Sequence, residues 1–299
     1  SIGSELCRQL ARFNPAELIM LDRDESALHE VQLSIHGRAL LDTPQTVLAD
    51  LRDEATINHI FDTRKPEVVF HAAALKHLPL LERYPLEAYQ TNVLGTLTLL
   101  NAAHKTGVGV FVNISTDKAA NPISVLGYSK RIAERVTAAV GATAKSGKYM
   151  SVRFGNVLGS RGSVLMSFRD QIANGGPLTV THRGVTRYFM TISEAVQLVI
   201  QAGAIGKSGE ALVLDMGTPV SIYDVAKQLV ANSGKPVEIE IVGLRAGEKV
   251  HEELFGEGEE DTRPQHPLIS HVPVSPVDLG ILPLNPSDAR ETMLRIVAS

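Results

Sequence analysis

The chain has 299 residues, of which 44% are hydrophobic and 21% charged, with a formal net charge of −4. That length suits one large α/β domain or two smaller ones, the slightly acidic balance offers no basic surface for nucleic acid, and no apolar run reaches the roughly 18 residues of a membrane span. Cys7 is the single cysteine, which excludes an intrachain disulfide and a cysteine-built zinc site and fits a reducing, cytoplasmic setting.

The N-terminus does not read as a signal peptide. It opens on "SIGSELCRQLARF", an amphipathic helix with Leu6, Leu10 and Phe13 at helical spacing. No strand precedes this helix, yet the next segments read as later strands of a doubly wound sheet. The expectation is that the sequence begins inside a glycine-rich phosphate loop, with Gly3 as its last glycine and the first strand upstream.

Strand-like runs then alternate with helical patterns, the signature of a parallel sheet with helices on both faces. The strands predicted are 17–22, 46–50, 67–73, 108–116 and 149–157. Helical patterns cover 25–37, 87–107 and 127–147, with Gly37, Gly107 and Gly147 as natural stops. Beyond about residue 156 loops and short strands interrupt the pattern, as in a substrate-holding lobe. The expected division is a dinucleotide-binding lobe (1–155 and 187–216), a sugar-nucleotide lobe (156–186 and 217–275) and a C-terminal tail (276–299). The acidic run "EGEEDTRP" reads as solvated surface.

Several residues carry chemistry. Asp22 closes a predicted strand, where an acid accepts hydrogen bonds from the adenosine ribose and repels a 2′-phosphate; a helix cap is the plainer reading. Arg23 could instead embrace that phosphate, so NAD is expected and NADP remains open. Asp50 ends the next strand and suits the adenine edge. "HAAAL" places Ala72, Ala73 and Ala74 where backbone must lie close to a cofactor. His71 and His77 could be metal ligands but read better as structural histidines, and no metal is expected.

The order Asp22, "LADLRD", "FHAAALKH", "TNVLGT", "STDKA", Lys130, "RFGNVLGSRGSV" and "LRAGEK" resembles the extended short-chain dehydrogenase/reductases. More narrowly, it resembles the capsular-polysaccharide-type UDP-N-acetylglucosamine 4,6-dehydratases, from residue 1 to about 270, with "STDKA", "GSRGSV" and "TRYFMT" as the specific motifs. The resemblance implies a Rossmann sheet with a smaller substrate lobe. It adds Ile2, Gly3, Leu51, Asn92 and Lys130 to the cofactor contacts.

Those enzymes commonly carry Tyr-x-x-x-Lys, but here Leu126 stands four residues before Lys130. At about 100° per helical residue, Leu126 lies about 40° from Lys130 and Tyr128 about 160° from it. Tyr128 therefore does not replace the missing phenol, and Leu126 resembles the methionine of the relatives that lack the tyrosine. The proton chemistry passes to the end of the strand before it. By resemblance, Lys118 is the C5 base, Asp117 the acid for the departing C6 hydroxyl, and Thr116 a hydrogen-bond donor near the C4 oxygen. Lys130 would hold the nicotinamide ribose. The implied reaction oxidises C4, removes the C5 proton, expels water and returns hydride to C6. It suits an adjacent carboxyl and amine whose pKa values are pushed toward neutrality.

For the substrate, a diphosphate asks for arginine, and Arg187 and Arg245 are the candidates, with Glu248 on the uridine ribose. The resemblance adds Lys76, Asn156, Val157, Thr179 and the turn Arg161, Gly162, Ser163 and Val164. A UDP-sugar is the expected partner, together with a homo-oligomer and a possible membrane tether upstream of Ser1. A 4-epimerase on the same fold and a non-catalytic nucleotide-binding module are the rival readings.

Overall fold

The computed structural model describes residues 1–299. Five strands form its main sheet, in the order Ile269–Pro273, Glu210–Leu214, Lys148–Arg153, Val110–Ile114, Val68–His71. The first pair is antiparallel and the others are parallel. Met20–Asp22 and Thr46–Leu48 make a separate parallel pair. The sheet expected from sequence, with its first strand lying upstream, is here in two pieces, and Met20–Asp22 and Val68–His71 each pair on one side only.

Helices cover both faces, which is why the central strands are apolar along their length rather than alternating. On one face Val125–Thr143, Gly95–Thr106 and Glu54–Arg64 bury Ile132, Leu100 and Ile57 with Phe111 of the sheet. On the other, Leu6 of Ile2–Ala11 and Val196 and Val199 of Ile192–Ile205 pack with Val112 and Met150. Helix Ile2–Ala11 touches both sheet pieces, since Cys7 lies against the Met20, Leu28 and Val31 group.

Local chemistry sets the boundaries. Gly37 and Gly107 end their helices in the left-handed conformation, φ 69° and 75°, as read from the sequence. The helix expected to run to 147 ends at Thr143. The one expected from 87 starts at Pro85, whose fixed φ suits a first turn, and carries a π-helical segment over Tyr89–Leu94. The strand expected over 149–157 divides at Gly155. Lys148–Arg153 stays in the sheet, while Asn156–Leu158 leaves to pair with Phe189–Thr191. A Cβ at residue 155 would lie 3.0 Å from Tyr188 Cβ and 3.1 Å from Asp117 Oδ2, so the chain crosses there only because the residue is small.

A second core gathers Phe168, Leu178, Val180 and Ile222. Two expectations about the C-terminal part need correction. Ile269–Pro273, assigned from sequence to the substrate lobe, is the antiparallel edge of the main sheet, because its buried run needs a strand partner. The acidic run is not wholly solvated. Glu259 receives Arg153 at 2.6 Å and Arg131 at 2.9 Å, and Arg153 also holds Glu134 at 2.8 Å, with both side chains fully buried. Arg153 and Arg131 thus draw Glu259 in from a segment that charge alone would place in water.

Candidate active site

The strand Val110–Ile114 continues its ladder past its end. Ser115 N–H donates to Val152 O at 2.7 Å and Asp117 N–H to Phe154 O at 3.0 Å. This fixes residues 115–118 at the C-terminal rim of the sheet, the usual ligand position of a doubly wound fold. Asp117 is 1% exposed. Its Oδ1 accepts from Thr116 Oγ1 and Lys118 Nζ, both at 2.9 Å, while its buried Oδ2 has no partner. Buried carboxylate oxygens are normally satisfied, so this one is available to a donor that enters the site.

Lys118 contradicts one expectation. Burial pulls its pKa down, but the carboxylates of Asp117 and Glu252 outweigh burial, and the net shift is upward. Glu252 Oε1 lies 3.6 Å from Nζ with a side chain 4% exposed. The resting lysine is thus an ammonium between two anions rather than an amine near neutrality. Lys130 is the lysine that moves toward neutrality. Burial lowers it to about 8 against the opposing pull of Glu134, and Nζ donates to the Ile114 carbonyl at 2.5 Å. Between about pH 8 and the ordinary lysine value of 10.5, the unfolded chain holds a proton that the folded chain has released, so this contribution to stability rises with pH.

Leu126 and Tyr128 are both buried in the apolar cluster under helix Val125–Thr143. Asn92, in the π-helical segment, ties this helix to the loop after Val68–His71. Its amide receives Leu75 N–H at 2.9 Å and donates to Leu75 O and Ser129 Oγ, each at 3.0 Å. His71 bonds to Thr96 Oγ1 at 2.8 Å, and burial, aided by Lys130, pushes it down to about 3. It is a neutral structural histidine, and no cluster of metal-ligating residues is present.

Beyond the end of Met20–Asp22, Asp24 and not Asp22 caps helix Glu25–His36, accepting from Ala27 N–H at 3.1 Å. That removes the cap reading of Asp22, whose exposed carboxylate accepts only from Asp24 N–H at 3.0 Å. Arg23 leans toward Asp50 at 3.7 Å, and Asp50 is gripped by Arg52, Nη2 to Oδ2 being 2.8 Å. A Cβ on Gly3 would stand 3.7 Å from Ala72 Cβ, so the helix start lies against the small residues that end Val68–His71. Leu51 is buried, Ile2 half-buried, and Ala73 and Ala74 are exposed.

The substrate candidates fall into two groups. Arg187, Glu248 and Arg245 come together: Arg187 Nη2 donates to Glu248 Oε1 at 3.2 Å, and Arg245 N–H donates to Glu248 Oε2 at 3.2 Å. Lys76 donates to Arg161 O at 2.7 Å, while the Arg161 guanidinium turns away to pair with Glu30. Gly162 adopts φ +66°, and a Cβ there would meet His77 at 2.8 Å. Ser163 Oγ is buried without a partner just before helix Val164–Ala173. Asn156 and Val157 are half-buried, and Thr179 is occupied by Gln171 at 2.8 Å. Glu252 and Glu134 were missed from sequence, because neither lies in a motif that marks it as chemical.

A mostly parallel sheet with helices on both faces and polar residues gathered at its strand ends is the extended short-chain dehydrogenase/reductase fold. Within it, the chain belongs to the family described as polysaccharide biosynthesis protein, which it matches over residues 1–274. It is 48% identical over 87% of its length to the probable polysaccharide biosynthesis protein EpsC of Bacillus subtilis. It is 44% identical over 99% of its length to the capsular polysaccharide biosynthesis protein CapD of Staphylococcus aureus. The chain spans 44% and 51% of those two proteins. A more distant relative, 35% identical over 80% of this chain and 68% of the other, is the UDP-glucose 4-epimerase of Rickettsia akari. Among solved structures, Pen from Bacillus thuringiensis superimposes with a TM-score of 0.82 at 30% identity, covering 91% of this chain and 83% of that one.

Proposed function

We propose that the chain is the catalytic domain of an NAD-dependent nucleotide-sugar 4,6-dehydratase acting on UDP-N-acetylglucosamine in polysaccharide or capsule synthesis. The observation that carries this reading is the buried Asp117–Lys118 pair at 2.9 Å, with Asp117 Oδ2 left unpartnered beside it. An epimerase needs to move only the C4 hydroxyl proton and has no use for a second acid–base pair. Residues 156–186 with 217–268 form the sugar-nucleotide lobe.

The donor set fits a dinucleotide. Asp22 offers a free carboxylate oxygen at a strand end, Ala72 lies against the helix start at Gly3, and Lys130 is buried by the rim of the sheet. Asp22 holds the adenosine ribose, Asp50 and Leu51 flank the adenine, and Lys130 engages the nicotinamide ribose. When bound, NAD supplies the means of accepting hydride from C4 and returning it to C6.

Once C4 is a ketone, the C5 proton is acidic, and the site must take it while protonating the departing C6 hydroxyl. The Asp117–Lys118 pair carries one proton for these two tasks. At rest that proton sits on Lys118, so for Lys118 to serve as base and Asp117 as acid it first crosses their shared 2.9 Å hydrogen bond. The proton then on Asp117 Oδ1 goes to the departing hydroxyl, which the free Oδ2 orients by accepting its hydrogen bond. Thr116 Oγ1, now bonded to Asp117, holds the C4 oxygen. Arg187 and Arg245 take the diphosphate.

Mass spectrometry after incubation with UDP-N-acetylglucosamine tests the reading. Loss of water is expected, with deuterium entering C5 in D₂O and C5 configuration retained. An isobaric product means an epimerase, and retained binding without turnover means a non-catalytic module; either sinks the proposal. Two further results follow. Tyr128→Phe leaves turnover within a few-fold of the parent, because this phenol is packed in the core and the acid–base work lies elsewhere; a loss as large as that of a catalytic variant would place proton transfer on Tyr128. Asp22→Ser shifts preference toward NADP, with the repelling carboxylate gone and Arg23 next to it to meet the 2′-phosphate, as read from the ratio of KM values. An unchanged ratio would remove Asp22 from the ribose.

A further inference from the structure

The charged groups around Lys118 come from three separate parts of the chain. Asp117 precedes it at the strand end, 2.9 Å from Nζ. Glu252 reaches it from the segment after the "LRAGEK" motif, at 3.6 Å. Arg187, from the short strand Thr186–Arg187, opposes the lysine's charge from nearby. Arg187 is itself fastened to that same late segment, through Glu248 at 3.2 Å and the Val250 carbonyl at 3.2 Å.

No hydrogen bond within the late segment explains Glu252. Its neighbours Lys249 and Glu253 pair with each other at 2.9 Å on the exposed side, while Glu252 turns inward and is 7% exposed. A buried carboxylate is costly without a cation, and the cation it faces is Lys118. The contact joins the segment bearing Arg245 and Glu248 to the acid–base pair.

We propose that Glu252 is a positioning residue for Lys118, bracketing its ammonium opposite Asp117 and tying its charge state to the segment that carries Arg245 and Glu248. The inference rests on the dehydratase reading for its catalytic meaning, but the electrostatic link stands on the geometry alone. A substrate that draws residues 245–252 away lengthens the distance from Glu252 to Nζ and thereby loosens the proton that Lys118 must give up to act as a base.

The test has two readouts. The first is an NMR titration of the intact chain labelled at lysine Cε, with the Lys118 signal assigned by its loss in Lys118→Met. Glu252→Gln lowers the Lys118 midpoint by about 1–3 pH units, the usual effect of removing an opposite charge at this range. Glu252→Asp, which keeps the charge on a shorter arm, recovers part of the shift and guards against a folding defect in the amide variant. An unmoved midpoint in folded Glu252→Gln overturns the proposal. The second readout is the pH profile of C5 deuterium exchange with UDP-N-acetylglucosamine, whose acid limb moves in the same direction. A profile that keeps its midpoint while its height falls shows a merely structural role and overturns the positioning claim. A moved NMR midpoint in a chain whose parent exchanges no C5 proton supports the electrostatic link and rejects the dehydratase reading.

Discussion

Lys118→Ala and Asp117→Asn each lower turnover on the order of 10²- to 10⁴-fold, the scale for loss of a positioned acid or base. The two variants fail differently. Without Lys118 the ketone at C4 can still form while the C5 proton stays in place, so reduced cofactor accumulates and deuterium does not enter C5. Asp117→Asn keeps a group of the same shape but removes the anion from Lys118, and the lysine pKa falls toward the ordinary value or below as burial loses its counterweight. C5 exchange then persists while release of water slows. The measurements are absorbance of reduced cofactor in a single turnover and NMR of the sugar recovered from D₂O. Equal loss of exchange and of dehydration in both variants would show that the two residues cannot be assigned separate tasks.

Arg153→Met unfolds the chain more readily by about 3–5 kcal/mol, the cost of stranding a buried charge. Arg153 is fully buried and bidentate on Glu134, Nε to Oε1 at 3.1 Å and Nη2 to Oε2 at 2.8 Å, while Nη1 reaches Glu259 at 2.6 Å. Burial pushes Glu134 up, but Arg153 outweighs it and the carboxyl is held below its ordinary value. Its contribution is therefore fully present above the unfolded carboxyl pKa and is lost as pH falls through the folded value. Arg153→Met should flatten that acid limb as well as lower the urea midpoint. A variant within about 1 kcal/mol of the parent would mean that water or Arg131 satisfies Glu134. Glu134 also lies one turn beyond Lys130 and supports its positive form, so the same variant disturbs the site through the helix.

What the sequence determined by itself was whatever repeats along the chain or depends on a single residue's backbone. The alternation of apolar runs and helical patterns marked a doubly wound sheet, because strands covered on both faces must be apolar throughout. Gly37 and Gly107 marked helix ends because few other residues accept the left-handed turn. Thr116, Asp117 and Lys118 stood out at a predicted strand end, their roles being implied by the resemblance, and helical geometry alone separated Tyr128 from Lys130.

Tertiary structure decided what depends on residues distant in sequence. Whether Asp22 or Asp24 caps the helix was settled by which carboxylate meets Ala27 N–H. The acidic run looked solvated because its charge density is high, yet Glu259 is drawn in by Arg131 and Arg153. The charge state of Lys118 could not be read from its neighbour Asp117 alone. It depends on how far burial weakens the ammonium and on Glu252, whose approach to 3.6 Å is fixed by the path of a segment far along the chain. Periodicity and backbone preference are local and survive in the sequence, whereas a pKa is set by desolvation and nearby charge, which exist only once the chain has folded around the group.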